Sequence, residues 1–159
     1  MRASACGWVA HSVEEALELG ERSAEITHNH PEGIKGAQCV AVAIYMARNG
    51  ASKAAICHYI EEQFGYDLHC TCDEIRPTYG WESSCQGTLP AALAAFFDSY
   101  DYESAVRLAV SLGGDSDTIA CITGGIAEAF YGEIPEAIVT EARKHIPEEF
   151  WPIINEVMV

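Results

Sequence analysis

Gly113-Gly114-Asp115-Ser116-Asp117-Thr118 sets two carboxylates two residues apart, with a hydroxyl one residue on, at the head of an apolar segment. At a helix start such side chains can converge on one point. Carboxylate and hydroxyl oxygens are hard ligands, suited to Mg²⁺, Ca²⁺ or Mn²⁺. The two glycines permit a tight turn and leave room beside an ion. The same residues also describe a plain helix N-terminus, since Asp caps helices and its charge suits the macrodipole. A calcium EF-hand is excluded: no loop glycine or further Asp/Asn ligand follows, and the twelfth position from Asp115 is Ile126.

His28 and His30 stand just before Pro31, a residue suited to a first helical turn. Their rings can cap backbone groups or face a ligand. Cys70-Thr-Cys72, with Cys57, His58, His69 and Cys85 elsewhere, raises a zinc reading. One intervening residue is too few for a structural zinc pair, so plain buried or loop thiols are expected. Nothing marks a partner base for Cys85 as a nucleophile.

The elements that must hold these residues read as helix after helix. Ser12-Val-Glu-Glu15 forms a capping-box pattern before a helical run. Lys35 to Arg48 is helix-compatible and stops at Asn49-Gly50. Ser52 caps a helix to about Phe64, with Gly65 as its stop. The stretch 66–86 lacks a period and reads as a long loop or short extended piece. Thr88 caps the next helix, with Pro90 near its start, to about Ser99. Further helices are expected over Tyr102–Leu112, from Asp115 to Tyr131, over Glu136–His145 and from Pro147 to about Val157. No alternating strand stands out, so the fold class is all-α, with residues 1–159 as a single domain. Cys39–Ala47, Leu89–Phe97 and Ile119–Tyr131 are apolar nearly all round, so each must be buried on every side. They pack either on one another or on something outside the chain, such as a second subunit.

Composition narrows the partners. There are 24 acidic against 9 basic residues, a formal net charge of −15, which repels nucleic acid and anionic membrane. The longest apolar run, Cys39–Ala47, is too short to span a bilayer. The first residues lack the apolar core of an export signal, and the cysteine count, 7, is odd. Both fit reduced thiols in a cytoplasmic protein. A phosphate-bearing ligand would need a cation or backbone N–H groups as go-between.

Residues 113–132, Gly-Gly-Asp-Ser-Asp-Thr-Ile-Ala-Cys-Ile-Thr-Gly-Gly-Ile-Ala-Glu-Ala-Phe-Tyr-Gly, resemble the most specific signature of the ADP-ribosylglycohydrolase family. Thr27-His28-Asn29-His30-Pro31-Glu32-Gly33-Ile34-Lys35-Gly36-Ala37 is similar to that family's Thr-His…Gly-x-x-Gly-Ala helix start. Met1-Arg2-Ala3-Ser4 resembles the tail of its Gly-Asn-Gly-x-x-Met-Arg loop. The blocks come in family order and cover essentially the whole chain.

The resemblance implies an all-α, orthogonally packed multi-helix domain of ADP-ribosylglycohydrolase type: a hydrolase that binds two Mg²⁺ ions (or Mn²⁺) and cleaves the glycosidic bond at C1″ of an ADP-ribosyl group, releasing ADP-ribose. It implies Asp115, Asp117 and Thr118 as metal ligands, and His28, Gly33 and Gly36 in the substrate pocket, with His30 left to cap. The family's remaining metal ligands, in a Thr-Asp-Asp segment, and its acidic catalytic residue lie upstream of Met1. The expectation is therefore a truncated, C-terminal portion with a half-site. That portion acts with a missing N-terminal half, or persists as a non-catalytic homo-oligomer or ADP-ribose binder. The linkage cleaved is not encoded in these motifs.

Overall fold

The computed structural model describes residues 1–157. Among these residues there is no strand. The α-helices are α1 (Ser4–Val9), α2 (Val13–His28), α3 (Pro31–Arg48), α4 (Lys53–Phe64), α5 (Cys72–Ile75), α6 (Cys85–Asp98), α7 (Tyr102–Ser111), α8 (Ser116–Tyr131), α9 (Glu136–Arg143) and α10 (Trp151–Val157), the last preceded by a 3₁₀ turn at Glu148–Phe150. The all-α expectation holds, and no helix among the described residues is long and apolar enough to cross a membrane.

Local chemistry sets most of the boundaries. Ser12 accepts the Glu15 N–H at 3.1 Å and starts α2. The reciprocal half of the expected capping box differs: the Glu15 carboxylate takes the N–H of His11, at 2.7 Å, one residue earlier than the motif requires. The His30 ring accepts the Glu32 N–H and Pro31 occupies the first turn of α3. Ser52 caps α4, which Gly65 closes in the left-handed conformation.

Two expectations fail between residues 66 and 86. The stretch is not a continuous loop, because Thr71 and Glu74 build a full capping box around the four-residue helix α5. Nor does Thr88 cap α6. Ser84 does, accepting the Gly87 N–H at 3.2 Å, so the helix begins at Cys85 and Pro90 lies inside it. Thr88 is buried instead. A proline marks a helix start only weakly; here the cap stands six residues before it.

The three all-round apolar segments pack on one another, so the first of the two alternatives is the one realised. α3 is central: it touches α1, α2, α4, α6 and α8, while α6 and α8 also meet each other. Ile44, Leu93, Phe96, Ile119 and Ile126 are fully shielded there. Each such side chain contributes about 1.5–3 kcal/mol relative to exposure. Thr123, buried in α8, donates its hydroxyl to the Ala92 carbonyl of α6 at 2.8 Å, which satisfies it. Gly125 lets Ser4 of α1 approach: an added Cβ would stand 2.8 Å from its Oγ.

Candidate functional site

The N-terminal ends of α3, α6 and α8 and the C-terminal end of α2 face a common cavity of about 430 Å³, closed on one side by Met1–Ala3. Helix starts expose unpaired N–H groups, so this geometry favours an anionic ligand.

The α8 wall is shaped by its two leading glycines. Gly113 and Gly114 both have positive φ, +77° and +61°, which other residues adopt only with strain. A Cβ on Gly114 would also lie 2.4 Å from the Gly80 carbonyl, so the loop before α6 is pressed onto this turn. Asp115 follows as the residue before α8, yet its side chain makes no capping hydrogen bond. The simple capping alternative therefore does not describe Asp115. Hydrogen bonding with the Asp115 side chain, and then the Thr118 N–H donating at 2.7 Å, hold the Asp117 carboxyl below its usual range. The two carboxyl groups thus meet, as the spacing allowed.

Asp115 and Thr118 line the cavity, while Asp117 stands beside them on the exposed side of the first turn. Asp115 is the one carboxylate in the cavity lining among the described residues. Asp115, Asp117 and Thr118 offer about three oxygens, half of what Mg²⁺ prefers. Their hard oxygen chemistry fits such an ion, as one side of its shell.

His28, Gly33 and Gly36 line the opposite wall. A Cβ on Gly33 would sit 2.6 Å from the His28 carbonyl, so glycine lets α3 begin directly against the end of α2. A Cβ on Gly36 would sit 3.2 Å from the Cys85 thiol, so glycine lets the α6 start close on α3. Burial raises the Cys85 thiol, which opposes any thiolate role.

Sequence reasoning gave Arg2 no site role. Arg2 lines the cavity, and its guanidinium donates to the Ser23 carbonyl at 3.1 Å and to the Thr27 hydroxyl. The Thr27 hydroxyl lies 2.8 Å from His28 Nδ1. A guanidinium only donates, so it turns the Thr27 proton toward His28. Nδ1 then accepts, and Nε2 carries the imidazole N–H. The signal was the Met-Arg pair beside the family block. What hid it is that the contact spans 25 residues.

The zinc reading of Cys70 and Cys72 finds its thiols apart in environment: Cys70 is exposed and Cys72 buried. Burial, reinforced by Asp98, pushes the Cys72 thiol up to about 12.

The sequence pattern of the ADP-ribosylglycohydrolase family matches residues 1–158. The chain belongs to the ADP-ribosylglycohydrolase family. It is 27% identical to the ADP-ribosylarginine hydrolase Tri1 of Pseudomonas putida (strain GB-1), over 77% of this chain and 34% of that protein. It is 24% identical to the ADP-ribosylhydrolase ARH3 of Homo sapiens, over 86% of this chain and 51% of that one. A solved structure described as an ADP-ribosylglycohydrolase-related protein complex superposes with a TM-score of 0.62 at 33% identity, covering 84% of this chain and 49% of the other. The chain therefore spans about half the length, or less, of the relatives it matches.

Proposed function

We propose that this chain forms one side of the active site of a Mg²⁺-dependent ADP-ribosyl hydrolase. The carrying observation is the convergence of Asp115 and Thr118 with His28 and Arg2 across one cavity ringed by helix N-termini. The reaction adds water across the glycosidic bond: C1″ gains hydroxyl, the leaving side chain regains a proton, and ADP-ribose departs.

The residues divide the work by chemistry. Asp115, Asp117 and Thr118 would hold the divalent ion, Mg²⁺ or Mn²⁺, as hard oxygen donors. When bound, such an ion orients ribose hydroxyls and neutralises phosphate charge. That charge matters in a chain of net −15, whose own field opposes a diphosphate. Arg2 and the Gly33 N–H, left over at the start of α3 after His30 caps Glu32, add to the attraction. His28, held through Nδ1, presents its Nε2–H to the ligand. Gly33 and Gly36 keep the walls thin enough for contact. The reduced thiols fit a cytoplasmic setting.

The test is release of ADP-ribose from ADP-ribosylated protein with Mg²⁺, comparing the chain with Asp115→Asn. Activity that is lost in the variant supports the reading, and full activity in the variant overturns it. A second reading, an ADP-ribose binder without turnover, is favoured by the lone carboxylate of the lining. Its mark is metal-dependent binding with no product.

A further inference from the structure

A second group of metal-ligating side chains lies outside the cavity, where α4 hands over to the segment before α5. Gly65 ends α4 with φ +66°, and residues 66–71 continue without helix. Burial alternates along this run: Tyr66 and Leu68 face the core, Asp67 and His69 the outside. The outward pair lies beside Glu61, on the last turn of α4. Ligand atoms of Glu61, Asp67 and His69 all lie within 4.8 Å of one another.

One observation says that this group lacks something. Glu61 Oε1 is sealed from solvent and accepts no hydrogen bond. A shielded carboxylate oxygen is costly unless a donor or cation meets it. Its nearest candidate, His69 Nε2, stands 3.5 Å away, too far for a good hydrogen bond.

We propose that Glu61, Asp67 and His69 form a second metal site, for a first-row transition ion of the Zn²⁺ class. One imidazole with two carboxylates is a donor set such ions accept, whereas Mg²⁺ and Ca²⁺ prefer oxygen alone. Water completes the shell at the exposed side. The ion clips residues 67–69 to α4 and so steadies Tyr66, whose ring lies 4.5 Å beneath the Lys35 ammonium of α3. Because Gly36 and Ala37 of α3 line the cavity, the clip stiffens one of its walls. The site is independent of Asp115 and Asp117.

The test is Zn²⁺ titration of the chain in excess Mg²⁺, read by calorimetry and by melting temperature, with Co²⁺ absorption as a ligand report. The expected result is one Zn²⁺ per chain, a raised melting temperature, and affinity lowered at least about tenfold in both His69→Ala and Glu61→Gln. Asp117→Asn should bind Zn²⁺ as the parent does, and the Co²⁺ spectrum should lack a thiolate charge-transfer band. Absence of Zn²⁺ binding, equal binding in both ligand variants, or a thiolate band removed by Cys70→Ser would overturn the assignment.

Discussion

The hydroxyl of Thr27 stands 2.8 Å from Nδ1 of His28 and is itself engaged by the Arg2 guanidinium. This chain of contacts fixes which imidazole nitrogen faces the ligand. Thr27→Val removes the hydroxyl but keeps the shape. The expected outcome is a mixture of His28 tautomers in ¹⁵N NMR, where the parent shows mainly Nε2–H. ADP-ribose affinity should fall by about 1 kcal/mol, one hydrogen bond's worth. An unchanged tautomer signal would detach Arg2 and Thr27 from the site.

Lys53 tests how the core is closed. Its ammonium donates to the carbonyls of Phe96, at 2.7 Å, and Phe97, at 3.2 Å, and to Ser99, satisfying the C-terminal end of α6 while facing the Phe96 ring. Lys53→Met retains the stem and loses the donors. The expected loss is about 2 kcal/mol of stability, the scale for hydrogen bonds to a charged group, read by urea unfolding.

The thiols should differ in reactivity. Cys70 and Cys121 are exposed, whereas Cys39 and Cys72 are buried and raised, Cys72 to about 12. Alkylation of the native chain followed by peptide mass spectrometry should label Cys70 and Cys121 first. Raised thiols stay protonated in the folded state while an unfolded chain ionises near the ordinary value, about 8.5. The stability they confer is therefore complete below that pH and is lost as pH rises toward the folded values. Unfolding at pH 7.5 and pH 10 should show the decline.

Glu128 follows the same sign. Burial raises its carboxyl, so ionisation near neutrality costs folded stability. Glu128→Gln should raise the melting temperature at pH 7 and have less effect below about pH 4, where the unfolded carboxyl is also protonated. A lower melting temperature at pH 7 would contradict this.

Much of this fold is legible in local chemistry. Ser12, His30, Ser52 and the stop at Gly65 mark helix ends because caps act within a few residues. α1 escapes the sequence because six residues are too few to show a period. α5 escapes because its four residues carry a cap but no apolar face. The start of α6 was misplaced because Pro90 outweighed the weaker signal of Ser84. For the site, the motifs named Asp115, Thr118, His28, Gly33 and Gly36, and all five line one cavity. Asp117 stays outside that lining, and the part played by Arg2 depends on packing between α1 and α2, which no spacing records.

The central claim is tested most directly by calorimetric titration of the chain with ADP-ribose, in Mg²⁺ and again in EDTA. The account predicts binding in Mg²⁺ that EDTA removes, and that Asp115→Asn also removes. Binding that survives both EDTA and Asp115→Asn, or no binding even in Mg²⁺, would contradict it.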